Sequence, residues 1–412
     1  MAVNIFKTTD YVLDEVFIRF VNYLSFAKVA NRNIEEEFKN LKFATGQTLN
    51  YRLEERYIAD EGATAVEQAR VQVIRPLTIN KQFNTMVSFT GMQLTFDRAR
   101  DKPYLDMMLN PRAKALANKV EKFIATDNFQ DQVYQAVGVS GVAIDFDVIA
   151  EADAYMTELG IPEDGNRYVA VPPRGAQSIA IDLKASFNMD INRGALMDGF
   201  IGHLSGFDFF KTNFLTRHVT GTGQAGGAPP TGFKLGGVVA GPVSSGSTFT
   251  LSGLIPGTAY KKGDLFEVDV ADSVFMVNPL LYDALSTPAQ FIATADAVAD
   301  GGGNATLNFS PEIVISGPRQ NISAAVPNLA QLNLRTTYNR AIAFHNQSIV
   351  FAAPPISELK GGVEVVTTYS DLYKLAITYT LGADIRNYVQ LDRLDCLSGV
   401  AINPEFAVVI VH

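Results

Sequence analysis

Between Arg217 and Arg319 the chain carries no arginine, and this stretch, under a quarter of the 412 residues, holds roughly half of the 32 glycines. Glycine at that density rules out a long helix, because each one weakens a helix interior. The apolar residues alternate instead, as in Phe249-Thr250-Leu251 and Phe266-Glu267-Val268-Asp269-Val270, the period of half-buried strands. A hairpin is expected where Ala289 to Ala299 meets Ala305 to Phe309 across Asp300-Gly301-Gly302-Gly303-Asn304. The segment reads as an inserted all-β module of about 100 residues, the size of a small sandwich or barrel. On both sides of it the composition is mixed, so the fold class is α+β with an all-β interruption.

The flanks contain helices and one unusual hairpin. Leu13, Val16, Phe17, Phe20 and Leu24 fall at helical spacing and predict an amphipathic helix over Thr9 to Lys28, capped by Thr9 or Asp10. So many large apolar groups near the start of the chain must dock, on the protein's own core or on a neighbouring subunit. From Leu49 to Asn80, Tyr51, Leu53 and Tyr57 stand among Arg52, Glu54, Glu55 and Arg56. A small-residue tip around Gly62 then leads to Val71, Val73, Ile74 and Pro76. This predicts two strands that are polar on both faces, and such a ribbon is marginal in water without a partner. Asn110-Pro111 reads as a helix start, followed by Ala113, Leu116, Ala117, Val120, Phe123 and Ile124, with Val133, Tyr134 and Val137 extending the stripe. Further expectations are a helix from Asp145 to Leu159, a buried strand in Arg167 to Pro173, strands from Val363 to Leu381, and a last strand near Phe406 to Val411.

Charge and motifs exclude most chemistry. A net charge of -9 argues against a phosphate-gripping protein, which needs clustered Lys and Arg. The single cysteine, Cys396, excludes an internal disulfide and a cysteine-based zinc site. It suits assembly in a reducing cytoplasm. No signal peptide is read at the N-terminus, and no apolar run approaches the ~18 residues of a membrane span. Gly221-Thr222-Gly223-Gln224-Ala225-Gly226 matches the bare dinucleotide-binding pattern, but Gly227-Ala228-Pro229-Pro230 cannot open the helix that would hold a pyrophosphate. His203, His218, His345 and His412 are scattered without metal-ligand spacing. Glu54-Glu55 reads as solvated charge on an exposed ribbon. No catalytic, cofactor-binding or metal residue is assigned.

The order of features resembles the major capsid proteins of tailed phages, which share the Johnson fold. Ala113-Lys114-Ala115-Leu116-Ala117-Asn118-Lys119-Val120-Glu121 is similar to the start of that family's spine helix. Gly206-Phe207-Asp208, after Gly199-Phe200-Ile201-Gly202, is similar to the strand that leads into an insertion. Lys261-Lys262-Gly263-Asp264 is similar to a turn within it, and Asp384-Ile385-Arg386 with Leu397-Ser398-Gly399 resembles the closing strands. Within the family the chain looks closest to coat proteins of short-tailed Salmonella-type phages, which carry an immunoglobulin-like insertion domain.

The resemblance implies a domain plan and a mechanism of assembly. Residues 1–40 would be the N-terminal arm, 41–90 the E-loop with flanking P-domain strands, and 91–140 the P-domain with its spine helix. Residues 141–217 and 319–362 would be the two parts of the A-domain, 218–318 the inserted all-β domain, and 363–412 the closing strands of both domains. The arm and E-loop would reach neighbouring subunits, with Phe17, Phe20, Arg52, Glu54, Glu55, Arg56, Glu67 and Arg70 as interface residues. Partners would be copies of the chain in pentamers and hexamers, scaffolding and portal proteins, and enclosed DNA bound without sequence specificity. The place of action would be the virion shell, after assembly in the host cytoplasm. One branch of the family welds subunits through a lysine–asparagine bond. No lysine lies between Leu49 and Asn80, and the protonated guanidinium of arginine is a poor nucleophile, so a noncovalent shell without cofactors is expected. The inserted loops Gly221 to Gly232 and Val243 to Gly246 would contact adjacent capsomers or face solvent on a stability module. Two other classes stay open from the residues alone. One is a secreted or surface β-rich binding protein, favoured by sequons at Asn304, Asn308, Asn321 and Asn346; the other is an enzyme whose site forms only on folding.

Overall fold

The computed structural model describes residues 9–32, 48–59, 67, 70, 72–90, 102–186, 202–224, 229–356, 363–370 and 375–412. Outside them lie the ribbon tip around Gly62, the arm beyond residue 32, Gly199 to Ile201, and part of the glycine-rich loop after Gln224. The chain divides into two compact units. One is drawn from residues 1–52, 74–125 and 349–401, the other from 53–73, 126–348 and 402–412.

The first unit is a long antiparallel sheet with helices on it. Its strands run in the order Thr48–Arg52, Ile74–Thr90, Val389–Ile402, Leu375–Asp384 and Glu364–Ser370, with Ile349–Ala352 also paired to Val389–Ile402. Leu77, Ile79, Val350, Ala352, Leu397 and Ala401 form one of its apolar clusters. The predicted first helix is broken in two, Thr9–Asn22 and Phe26–Val29. Its stripe packs inward as expected: Leu13, Val16 and Phe20 are fully buried. The long helix spans Lys102–Ile124 and contains Pro111, so Asn110-Pro111 is not its start. Pro103 already occupies the first turn, where a missing N–H costs nothing. Pro111 forgoes one helical hydrogen bond, and the next residue helps hold the helix in place. Arg112, buried, donates to Asp392 Oδ1 at 2.9 Å and to the carbonyls of Thr85 and Asp392, tying the helix to two strands.

The second unit combines a mixed sheet with a closed barrel. The sheet order is Ala136–Val137, Ala407–Val411, Arg340–His345, Arg167–Val171, Phe207–Lys211 and His203–Leu204. The predicted helical extension to Val137 is therefore overturned. After the π-helical turn Ala125–Phe129 the chain enters this sheet, where Ala136 and Val137 pair with Val409 and Ile410. Strands Arg340–His345 and Ala407–Val411 are buried throughout, as both faces are covered. Helices Phe146–Glu158 and Pro173–Ser186 contribute Ile149, Tyr155, Met156, Ala176 and Ile179 to the core that covers Val169, Ala341, Ala343, Val408 and Ile410. Phe129, Tyr168 and Phe210 gather around Phe344, with ring centroids 5.4, 5.9 and 6.2 Å away. Asp145 caps the first of these helices by accepting from Val148 N, and Gly160, at φ +72, turns the chain out of it.

The barrel closes through Leu265–Val268, Gln290–Ala293, Ala305–Val314, Ser245–Ser252, Phe233–Val239 and Gln331–Arg335. Of the two architectures open for the arginine-free segment, sandwich or barrel, the strands adopt the barrel. The last barrel strand lies beyond Arg319. Four phenylalanines from four strands fill the interior. Phe249 stacks on Phe309 at 4.1 Å and meets Phe291 at 5.5 Å, while Phe266 stacks on Phe291 at 5.9 Å. In the expected hairpin, Ile292 and Ala293 do pair with Ser310 and Phe309, but Ala297 and Val298 turn away to pair with Tyr260 and Ala259.

Candidate assembly surfaces

The arm helix buries the two aromatic groups expected at an interface. Phe17 and Phe20 are 8% and 0% exposed within the first unit, whereas Ile18 and Tyr23 on the same segment are 62% and 41% exposed. The break after this helix has a tertiary cause. Glu121, on the long helix and fully buried, accepts hydrogen bonds from Ser25 N (3.0 Å), Ser25 Oγ (2.6 Å), Phe26 N (2.9 Å) and Ala27 N (3.0 Å). A carboxylate from 96 residues away thus caps the helix Phe26–Val29 and satisfies its orphan donors. Burial pushes the Glu121 carboxyl above its ordinary value, against the four hydrogen bonds, which pull it down.

On the ribbon, Thr48–Arg52 pairs with Ile74 to Thr78, Arg52 standing opposite Ile74. Beyond this, in the second unit, the ribbon continues with Leu53 N donating to Val73 O. Glu55 accepts from Arg70 Nε at 2.7 Å and from the Tyr57 hydroxyl. The hydrogen bonds to Glu55 first, and its charge after them, raise the Tyr57 phenol and the Arg70 guanidinium above their usual values. Arg56 donates to Glu405 at 3.0 Å, and Arg319 donates to the Glu54 carbonyl at 3.1 Å. The structure thus joins Glu55 with Arg70 inside the ribbon and Arg56 with a residue of its own unit. Arg52 and Glu67 are exposed.

Three of the four histidines have structural partners. His203 meets Asp208 at 3.0 Å, His218 meets Asp264 at 2.6 Å and His345 meets Asp164 at 2.9 Å. Gly221 is required by close packing: a Cβ there would lie 2.1 Å from the Ala259 carbonyl oxygen. Its N–H points at Asp264, and the next described element after the loop is the strand Phe233–Val239, not a helix. Among the described residues no cluster of potential metal ligands occurs, and no helix is long and apolar enough to cross a membrane. Glu121, Arg112 with Asp392, and Arg319 with Glu405 were not foreseen. Their partners lie far away in sequence, and no local pattern signals them.

The described residues thus form helices seated on a long helix, a charged two-stranded ribbon and a sheet-plus-barrel unit. The family model described as P22 coat protein - gene protein 5 matches residues 1–410. The chain belongs to that family: it is a major capsid protein, a non-enzymatic subunit of the icosahedral phage head. Solved structures similar to it include one from Mycobacterium phage Che8, at 14% identity, covering 94% of this chain and 90% of that one, with a TM-score of 0.45. Others are the capsids of cyanophage P-SCSP1u (11%, 94% and 88%, 0.43) and Ralstonia phage GP4 (9%, 94% and 87%, 0.44). No curated protein matches.

Proposed function

We propose that this chain builds its shell noncovalently, as pentamers and hexamers held by the arm and the ribbon, around DNA that it does not read. The observation that carries the noncovalent reading is the ribbon's chemistry: between Leu49 and Asn80 the cations are Arg52, Arg56, Arg70 and Arg75, with no lysine to attack a neighbour's amide. Individual exposed ion pairs contribute about 0–1 kcal/mol, and repetition over many copies supplies the strength of the shell. Phe17 and Phe20 are buried within their own unit, so the exposed Ile18 and Tyr23 take their place in the proposed arm contact. Assembly would take place in the host cytoplasm with separate scaffolding and portal proteins.

The barrel is read as an insertion, as in the short-tailed Salmonella-type coat proteins. In support, Phe207–Lys211 and Arg340–His345 belong to one sheet, and every barrel strand lies between them in sequence. The test is electron microscopy of the purified protein together with a denaturing gel of the particles. Icosahedral or tubular particles that dissolve into single subunits are expected. Ladders of linked subunits would refute the noncovalent reading, and stable monomers at high concentration would refute the contacts proposed here.

A further inference from the structure

Glu405 stands where three parts of the second unit meet. It lies on the turn Pro404–Phe406, which is held firmly: Ser348 Oγ donates to the Asn403 carbonyl at 3.0 Å, and Asn403 N donates to the Ser348 carbonyl at 2.8 Å. Its two carboxylate oxygens face two arginines. Oε2 receives Arg56 at 3.0 Å, and Oε1 lies 3.9 Å from Arg319. Arg319 also donates to the carbonyl of Glu54, so one guanidinium spans the ribbon and the turn. All three side chains are partly shielded, at 32%, 24% and 17% exposure for Arg56, Glu405 and Arg319. A two-stranded ribbon has little stability of its own, and here its base is fastened at two successive points, Glu54 and Arg56.

We infer that Glu405 is a positioning residue for assembly: with Arg319 it clamps residues 53–59 to their own subunit, so that Arg56 is spent in cis and the subunit contact begins further out along the ribbon. This reassigns Arg56 from a partner-facing residue to an anchor. The link to assembly rests on the ribbon being a shell contact; the clamp itself does not.

The experiment uses the full chain with Glu405→Gln, Arg56→Glu, Glu405→Arg and the double exchange Arg56→Glu/Glu405→Arg. In unassembled subunits, Glu405→Gln should speed hydrogen exchange of residues 53–59 by about three- to tenfold, with strand Arg340–His345 unchanged. Each charge reversal should depress the particle yield seen by electron microscopy, and the double exchange should restore it in part, because the arginine placed at 405 then stands beside Arg319. Co-expressing the two single reversals separates cis from trans. A contact within one subunit stays broken in both partners, whereas a contact between subunits is rebuilt wherever the two variants adjoin. Rescue by co-expression would overturn the inference, as would wild-type exchange of residues 53–59 in Glu405→Gln. Should Glu405→Arg not fold, Glu405→Gln and Arg56→Gln carry the exchange test. Failure of the wild-type chain to form particles would count against the shell contact alone, and exchange would still decide the clamp.

Discussion

Replacing Phe249 by Ala tests whether the four-ring layer is the core of a barrel that holds together on its own. Phe249 is fully buried and touches three other rings, with centroids 4.1, 5.5 and 6.1 Å away. Deleting a buried phenylalanine costs about 3–5 kcal/mol through lost transfer energy and the cavity left behind. The close stack on Phe309 adds roughly 0.5–1.5 kcal/mol and places this site at the upper end, near 4–5 kcal/mol. At about 1.4 kcal/mol per factor of ten, the opening equilibrium of the barrel should rise roughly a thousandfold or more. Since the chain lacks tryptophan, hydrogen exchange read by peptide is the suitable assay. Amides of Ser245–Ser252, Leu265–Val268 and Ala305–Val314 should accelerate by about three decades, those of Arg340–His345 far less. Phe249→Leu, which keeps most of the volume, should cost about 1–2 kcal/mol. Acceleration below tenfold in the Ala variant would refute the core assignment. Equal acceleration in Arg340–His345 would refute the reading of the barrel as a separable insertion.

Two further outcomes are expected. Glu121→Ala removes the common acceptor of three backbone N–H groups and one hydroxyl; with buried donors left unpaired the arm should loosen by about 2–4 kcal/mol, seen as exchange of residues 25–29 speeding by roughly 30- to 1,000-fold. Protection there equal to wild type would show that the cap is dispensable. Asp164 is held down to about 2 by hydrogen bonds from Asn166 and then His345. Its native value lies below the unfolded one of ~3.9, so it adds stability above that pH and loses it as pH falls through about 2. The side chain is half exposed, so screening limits the effect to a fraction of about 1 kcal/mol. Thermal midpoints of wild type and Asp164→Asn should differ at neutral pH and converge near pH 2; a constant gap would refute the assignment.

Local signals carried much of the fold. The stripe Leu13, Val16 and Phe20, the helix beginning at Asp145 and the alternation of Phe249 with Leu251 each rest on signals within a few residues, and each appears where they place it. The long helix was misplaced because two prolines satisfy the same first-turn rule, and only the tertiary hold of Arg112 on Asp392 reveals how Pro111 is accommodated inside the helix. The break at Ser25 was invisible for a similar reason: its cause is a carboxylate 96 positions away. The proposed assembly surface reads in the sequence as a class of segment, polar on both faces and under-supported. It was not legible residue by residue, because whether Arg56 faces a neighbour or Glu405 depends on a contact 349 positions apart.

The two parts of the second unit differ in how their strands are spread along the chain. All six barrel strands come from one continuous run ending at Arg335, whereas the central sheet strand Arg340–His345 sits between Arg167–Val171 and Ala407–Val411. During translation, at about 5–20 residues per second, the barrel has all its partners several seconds before the sheet receives Ala407–Val411. Throughout that interval one edge of the buried strand Arg340–His345 stands open beside a finished barrel. Each nascent chain therefore passes through a short aggregation-prone window, and an already closed barrel is tethered in the same chain just before the exposed edge while the window lasts.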